Sequence, residues 1–451
     1  ASAGTSNFRA GVNAGNSIVS GGAYNTVVGD EAGTAINTGS RNTAVGQESL
    51  DANTTGDDNS AFGRRSLSTN ISGDSNVAVG YQSLLLNTAS YNTAVGTNAL
   101  LTNSTGAEST AVGFEAGYAN STGRVTAVGR HAVKSNTSGT TATGVGYRAL
   151  RDSTGSNNTA VGNDAGYLIS SGQSNTIIGS TAGDAITTGI NNCFFGSLAG
   201  TATTVSSYNV AIGEASLLTN ILGSKSVAIG NSALYAQNPA SAVDMNNVAV
   251  GTNAGVSVST GVSNVLVGSN AGDSITSGVQ NTLIGHNNDV DTGGADNRIG
   301  LGVNLNLSAG STIKIGNAGT FITNTWGSNA TWSHSSDERL KEQVEDATLG
   351  LSFINDLRAV TFNWRSQADV PEEIRSDFER QTEIKQHGLI AQEVKTALDT
   401  AGVDTFLGWS EEKDGTQMIS ESMFVFPLIK AVQELSAQVT ALTARITELE
   451  G

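Results

Sequence analysis

A repeated unit of 16 or 17 residues is the feature that most limits how this chain can fold. The copies align on a glycine that follows a bulky apolar residue, and fourteen of the fifteen intervals between these glycines are 16 or 17 residues long. A fixed period this short, with one strand-like stretch per copy, predicts a β-solenoid whose stacked coils bury one another. The repeat glycines are Gly29, Gly46, Gly63, Gly80, Gly96, Gly113, Gly129, Gly146, Gly162, Gly179, Gly196, Gly213, Gly230, Gly251, Gly268 and Gly285.

The positions around each repeat glycine predict where the side chains lie. The preceding residue is always bulky, as at Val28 and Phe62, and this predicts a continuous buried ladder. The residue three places after the glycine is Ala or Ser in every copy but the last, as at Ala32 and Ser49, which predicts a narrow interior or a close neighbouring chain. The glycine itself is expected to adopt a backbone conformation closed to other residues or to permit close approach.

The array has irregular ends and one insertion. Degenerate copies surround Gly11, Gly300 and Gly316, and the interval from Gly230 to Gly251 is longer than the others. The enlarged loop in that interval is a candidate contact site. After it the period loosens, and a strict alternation of apolar residues predicts strands with one buried face, which we interpret as a β-stalk. The alternating residues are Leu301, Val303, Leu305 and Leu307.

Composition and charge exclude several functions. The net charge of −17 disfavours nucleic-acid binding, because a uniformly acidic surface repels phosphate. The single Cys193 excludes an intrachain disulfide, and no Cys or His spacing typical of a zinc site is present. We therefore expect no metal and no cofactor. The sequence contains no run of about 18 apolar residues, so it does not predict membrane insertion.

The last 118 residues differ sharply from the rest, with 22 acidic and 11 basic residues. This segment opens with Ser-Asp-Glu-Arg-Leu-Lys from Ser336 to Lys341. A serine hydroxyl becomes a nucleophile when a base removes its proton, and a lysine serves as that base when desolvation or nearby cations keep it neutral. The alternative is that these residues have only structural roles. Ser336 would then be a helix N-cap, and Asp337 and Arg339 would supply a charge at the helix N-terminus and a salt bridge.

Four ordered motifs extend this signal. They are the segment at 336–341, LSFINDLRAVTFNW at 351–364, HGLIAQEV at 387–394 and PLIKAVQEL at 427–435. Together they resemble the intramolecular chaperone domain of phage endosialidases and other tailspikes, over about residues 334–440. The resemblance implies that Ser336 attacks the carbonyl of Ser335 with Lys341 as general base. The chain would then be cleaved once, between Ser335 and Ser336.

The C-terminal residues predict a coiled coil that trimerises the chain. Apolar residues recur at alternating steps of four and three, and Pro427 suits the first helical turn. Helical trimers form quickly, whereas β pairing between chains is slow, so this end would set the register of the rest. The apolar series is Leu428, Val432, Leu435, Val439, Leu442, Ile446 and Leu449.

The solenoid motif also resembles the head repeats of trimeric autotransporter adhesins and of similar phage fibres, over about residues 10–290. This resemblance implies a trimeric, left-handed β-roll. The predicted fold is mainly β, with a trimeric β-solenoid shaft and a small α+β chaperone domain. The predicted domains are the shaft at 1–290, a β-stalk or linker at 291–333, the chaperone and auto-processing domain at 334–427 and the coiled coil at 428–451.

These features predict a virion tail fibre or spike that attaches to a bacterial surface. Its expected partners are two further copies of itself, other virion tail proteins and a bacterial surface glycan or protein receptor. Enzymatic activity would be at most a single-turnover cleavage of its own chain. A bacterial trimeric adhesin is one alternative, although the C-terminal membrane anchor that it requires is missing from this sequence. A polysaccharide-degrading tailspike is another, which needs paired carboxylates and sugar-stacking aromatic residues in one cleft.

Overall fold

The chain divides into two compact units, Ala1–Ser335 and Ser336–Gly451, called here the solenoid unit and the C-terminal unit. Each is described by itself in a computed structural model. The domain boundaries predicted from the sequence stay predictions. The residues that the structure describes are 6–308, 312–325, 333–334, 336–372 and 383–451.

The solenoid unit is a β-solenoid, as predicted. Within the described residues, each coil contributes one short strand that pairs in parallel with the strand of the next coil, and the repeat motif keeps one register throughout, as in Thr43↔Ser60 and Val45↔Phe62. The strands of this parallel sheet are Phe8–Ala10, Thr26–Val28, Thr43–Val45, Ser60–Phe62, Val77–Val79, Thr93–Val95, Thr110–Val112, Arg124–Val128, Thr141–Val145, Asn158–Val161, Thr176–Ile178, Cys193–Phe195, Val210–Ile212, Val227–Ile229, Val248–Val250, Val265–Val267, Thr282–Ile284, Ile299–Val303 and Thr312–Asn317.

The interior of the solenoid is narrow, and small residues occupy one fixed position of it in each coil. The Ala or Ser three places after the repeat glycine is fully buried, as at Ala32 and Ser49, which confirms the prediction of a narrow interior. The next position shows how coils conserve volume. In most coils where it is Leu, as at Leu67, a buried Asn follows three residues later. In most coils where it is Gly, as at Gly183, that later residue is a bulky apolar one such as Ile186, whose Cδ1 would lie 2.9 Å from a Cβ added to Gly183.

A ladder of buried asparagines joins the coils. The backbone N–H of Asn42 donates to Oδ1 of Asn25 at 2.9 Å, and Nδ2 of Asn42 donates to the carbonyl of Gly56 at 2.8 Å. Oδ1 of Asn42 in turn accepts the backbone N–H of Asn59 at 2.9 Å, so the buried amide of Asn42 is paired through both its nitrogen and its oxygen with backbone groups of the next coil. The equivalent residues with this burial are Asn25, Asn42, Asn59, Asn76, Asn92, Asn158, Asn175, Asn192, Asn209, Asn247, Asn264 and Asn281.

The repeat glycines are needed both for their backbone conformation and for the close approach of the next coil, the two alternatives that the sequence predicted. Gly113 has φ +136°, in the region that favours glycine. A Cβ on this residue would also lie 2.6 Å from the carbonyl oxygen of Gly129 in the next coil. The same pair of constraints recurs along the array. Any other residue at this position would therefore separate neighbouring coils as well as strain the backbone.

The bulky residues before the repeat glycines do not form a buried ladder, and that prediction is wrong for a single chain. Phe62 is 42% exposed and Phe195 is 54% exposed, whereas the Ala or larger residue one place earlier is fully buried. Side chains alternate along a strand, so only one of two neighbours points inward. The bulky residues form an outer apolar column along the sheet.

The solenoid extends beyond residue 290. The strands Ile299–Val303 and Thr312–Asn317 continue the parallel sheet, and Leu305 and Leu307 belong to the solenoid core. The segment predicted as a β-stalk therefore begins inside the solenoid. Antiparallel pairing starts with Phe321–Thr325, which pairs with Thr312–Asn317 and then with Ser333–His334.

The last coils also correct the alignment of one glycine. Gly302, not Gly300, occupies the repeat-glycine position, since it pairs with Gly316 and has φ +145°. Gly300 faces inward opposite Leu283. Two-residue strands form small additional parallel pairs beside the main sheet. They are Gly223–Ser224 with Val243–Asp244, the second of which lies in the long insertion, and Asp289–Val290 with Asn306–Leu307.

In its described residues, the C-terminal unit contains three α-helices and two short hairpins. Helix α1 spans Leu351–Asp356, α2 spans Ala391–Ala401 and α3 spans Val425–Glu450. No helix in the described part of the chain is both long and apolar enough to span a membrane. The hairpins pair Val360–Phe362 with Gln386–Gly388 and Trp409–Glu411 with Gln417–Ile419, and the 3₁₀ helices are Glu338–Leu340, Gln367–Asp369 and Glu421–Phe424.

Candidate active site

The predicted nucleophile and base lie within hydrogen-bonding distance. Nζ of Lys341 donates to Oγ of Ser336 at 2.8 Å. A single turn of 3₁₀ helix, Glu338–Leu340, separates the two residues and folds the chain back on itself. The amide N–H of Lys341 donates to the carbonyl of Glu338 at 3.0 Å and closes that turn. The five-residue spacing therefore suffices to bring the two side chains together.

Asp337 stabilises the turn between them. Its carboxylate caps the 3₁₀ helix by accepting the backbone N–H of Arg339 at 2.9 Å, and it also pairs with the Arg339 guanidinium, with Nε to Oδ1 at 3.0 Å. The hydrogen bond from the guanidinium has the larger effect on the pKa of Asp337 and the one from the backbone N–H the smaller. Together they hold this pKa below its usual range. The structure thus gives Asp337 and Arg339 the structural roles that the sequence also allowed.

Solvent surrounds this pair in the single chain. Ser336, Asp337, Arg339 and Lys341 are all exposed. The Lys341 amine is hydrogen-bonded to the Ser336 hydroxyl, as a general base would be. It is still in contact with water, however, whereas a lysine that acts as a base has to be desolvated. Ser335, which carries the carbonyl predicted to be attacked, lies outside the described residues. Among the described residues, no cluster of His, Cys, Asp and Glu could hold a metal ion.

An aromatic core holds the rest of the C-terminal unit together. Phe353 of α1 lies edge-on to Phe406 with ring centroids 6.0 Å apart, and Phe406 lies edge-on to Phe424 at 5.3 Å. Leu398 of α2 is buried in the same cluster. Edge-on aromatic pairs contribute about 0.5–1.5 kcal/mol beyond the area that they bury. This core packs α1 and α2 against the start of α3.

Glu434 attaches α3 to α1. Its Oε2 accepts the backbone N–H of Leu351, the first residue of α1, at 2.8 Å. A Cβ on the preceding Gly350 would lie 2.5 Å from the same carboxylate, so glycine permits the approach. Sequence reasoning missed this residue, since 83 positions separate the partners and no local pattern marks the contact.

Helix α3 carries an apolar stripe that has no partner among the described residues. The seven apolar residues predicted as a coiled-coil seam all lie on this one helix and all are exposed, with Leu442 61% exposed. Pro427 lies in its first turn and is buried. Exposed apolar stripes of this length are unusual on isolated soluble helices.

Comparison with known protein families identifies part of the C-terminal unit. Residues 336–403 match the family described as chaperone of endosialidase. The matched segment begins at Ser336, the first residue of the C-terminal unit. No curated protein matches the chain. The resemblance inferred from the four motifs is thus confirmed: over residues 336–403 the chain is similar to the chaperone of endosialidase family, and together with the β-solenoid this match fits a protein of the tail-fibre or tailspike type.

Proposed function

We propose that this protein is a subunit of a homotrimeric phage tail fibre or spike that attaches the virion to the host surface. In this proposal the C-terminal unit trimerises the chain and sets the register of the shaft. The main support is the apolar stripe on α3, from Leu428 to Leu449, which has no partner within the described residues of one chain. Three such helices in parallel would bury it.

The outer apolar column of the solenoid supports the same assembly. Within this column Phe62, Val95 and Phe195 are each more than a third exposed, and the column lies in register from coil to coil, as in Val79↔Val95. Burial of apolar surface contributes about 25 cal/mol per Å². Three chains that cover one another along this column would each bury a continuous strip. The register has to be set early, because a slip by one coil leaves the same column in contact.

The second part of the proposal is a single self-cleavage after assembly. Oγ of Ser336 attacks the carbonyl carbon of Ser335 while Lys341 accepts the hydroxyl proton and passes it to the departing Ser336 nitrogen. The peptide bond breaks and an ester forms between the Ser335 carbonyl and Oγ of Ser336. Water then hydrolyses the ester, which leaves a carboxylate on Ser335 and a free hydroxyl and amine on Ser336. The 2.8 Å contact between the two side chains supports these roles.

Mass and binding measurements on the full chain test the proposal. Native mass spectrometry should find three copies in one particle, with or without cleaved chains. Fluorescently labelled particles should bind the cells of at least one bacterial species in a diverse panel, in a saturable way. A stable, folded monomer would contradict the assembly. Saturable binding to none of the panel would contradict attachment and leave the assembly intact.

A further inference from the structure

One column of exposed side chains on the solenoid differs chemically from the rest of its surface. It consists of the residue that directly follows each repeat glycine, over six consecutive coils. All of its members except the threonine are exposed. Later coils have mainly small or polar residues here, such as Asn163, Ser180 and Ser197. We call it the arginine–aromatic column, and its members are Arg64, Tyr81, Thr97, Phe114, Arg130 and Tyr147.

The two arginines of this column have no acidic partner. Neither Arg64 nor Arg130 contacts a carboxylate among the residues that the structure describes. Other arginines of the solenoid do form ion pairs, so the column stands apart from them. The paired arginines are Arg41, Arg65, Arg124, Arg148, Arg151 and Arg298. An exposed guanidinium without a carboxylate partner is free to bind an external anion.

Aromatic rings flank these guanidinium groups. Cζ of Arg130 lies 5.8 Å from the ring centroids of both Phe114 and Tyr147, one coil before and one coil after it. Arg64 lies at the same distance from Tyr81. Cζ of Arg148 lies over the ring of Tyr147, 4.7 Å from its centroid, and the Arg148 guanidinium donates two hydrogen bonds to Asp164. The rings and cations therefore form a fixed surface along the coils.

The charge at this surface comes from arginine at neutral pH. Burial, together with the neighbouring Lys134 and Arg130, lowers the pKa of His131, which lies beside Phe114 with ring centroids 5.5 Å apart. His131 is therefore neutral at pH 7. Lys134 pairs with Glu115 at 2.6 Å. Arg130 is left as the cation available to a ligand here.

We propose that the arginine–aromatic column binds an acidic polysaccharide, one whose carboxylates are spaced along an otherwise neutral chain, as the host contact of the fibre. This rests on the proposed attachment function. Aromatic rings pack on the apolar faces of sugar rings, and a guanidinium binds a carboxylate through two parallel hydrogen bonds. Coils repeat at the strand spacing of about 4.7–4.9 Å, so a linear polymer along the axis meets one column residue per coil.

The spacing of the cations favours a polysaccharide over a nucleic acid. Arg64 and Arg130 are four coils apart, which corresponds to about 19 Å along the sheet. A polynucleotide carries a phosphate on every residue and requires closely spaced cations. Only two unpaired cations serve this column, in a chain of net charge −17. A polymer with widely spaced carboxylates matches that pattern better.

Binding of hyaluronan oligosaccharides tests the proposal, because they alternate acidic and neutral sugars. The full-length wild type should bind them, and Arg130→Gln should weaken the affinity at least tenfold. Arg124→Gln is the matched control, since Arg124 lies in the same coil but pairs with Glu108. It should bind like the wild type. Dextran of equal length should not bind, and oligo(dT) should bind at least tenfold more weakly.

Several results would overturn the proposal. They are no hyaluronan binding by the wild type, an unchanged affinity in Arg130→Gln, or equal binding of dextran or oligo(dT). A lower particle mass for Arg130→Gln would show that the column joins copies of the chain. Wild-type and Arg130→Gln particles that bind bacterial cells equally well would refute this site and leave the attachment function standing. Failure of the wild type to bind any cells would refute that function.

Discussion

Nζ of Lys341 lies 2.8 Å from Oγ of Ser336 although both side chains are exposed to solvent. One capped turn sets this geometry, so the pair needs no distant part of the fold to meet. A base that takes the hydroxyl proton has to be neutral, and water stabilises the charged amine. We infer that assembly adds a dry environment to a pair that is already in place.

Cleavage of the wild type should follow trimer formation. The expected fragments on a denaturing gel contain 335 and 116 residues, the sizes of the two compact units. Ser336→Ala removes the nucleophile, and Lys341→Arg replaces the base with a group that stays protonated. Both variants should assemble and stay uncleaved, and Lys395→Arg, on α2, should cleave normally. An intact wild-type chain in a fully assembled particle would rule out the cleavage mechanism.

Charge in the α3 stripe should prevent assembly. Replacing both Val439 and Leu442 by Asp puts six carboxylates into a trimeric seam, and a buried unpaired charge is strongly destabilising. Ala437→Asp with Ala444→Asp is the control, because those residues lie on the opposite face of the helix. Light scattering should give a trimer for the control and a monomer or aggregate for the stripe variant. A trimeric, cleaved stripe variant would contradict the seam.

The volume trade inside the coils predicts a compensating pair of substitutions. A Cβ on Gly200 would lie 2.3 Å from Cε2 of Phe194. Gly200→Leu should therefore overpack the coil by about 1–3 kcal/mol, and Phe194→Ala should leave a cavity that costs about 3–5 kcal/mol. The double variant copies the next coil, which has Ala211 and Leu217 at these positions. It should melt at a higher temperature than either single variant.

The backbone conformation at position 200 is compatible with leucine, so the expected cost of Gly200→Leu comes from overpacking and not from backbone strain. Leu217 already has φ 50°, close to the φ of 61° at Gly200, so this corner accepts leucine elsewhere in the solenoid. Additive losses in the double variant would show that the two positions do not share one space.

One carboxyl of the solenoid should make stability depend on pH. Partial burial, then a hydrogen bond to Asp289 and its charge, raise the pKa of Asp273 to about 6. The unfolded chain ionises this group near pH 3.8, so its contribution to stability falls as pH rises from about 4 to above 6. Asp273→Asn should raise the melting temperature relative to the wild type increasingly over that range. Asp30→Asn, at an exposed carboxylate, should not, and a constant difference for Asp273→Asn would contradict the assignment.

The sequence predicted the solenoid and its narrow interior because both follow from strict periodicity. It misjudged which face was inside. Ala44 and Val45 are neighbours in one strand, and the larger residue of such a pair is the usual choice for a core. Here the coil is so narrow that Ala44 fills the interior and Val45 points outward.

The candidate pair was predictable because its partners are five residues apart and belong to a recognisable motif. The sequence shows that an Asn recurs in the repeat but does not show what it bonds, since the hydrogen bonds of the ladder join residues 17 positions apart in neighbouring coils. Glu434 gave no signal at all. Its contact with Leu351 depends on tertiary packing of two helices, which no periodicity encodes.

Because the register of the solenoid is unbroken, its length is set by the number of its coils. The insertion between Gly230 and Gly251 adds residues, yet Val227 still pairs with Val248 as neighbouring coils do elsewhere. Residues added within a coil therefore widen a loop and leave the axial step at about 4.7–4.9 Å. Only the number of whole coils changes the reach of the shaft. Duplication or loss of one repeat would lengthen or shorten it by one fixed increment and leave both ends unaltered.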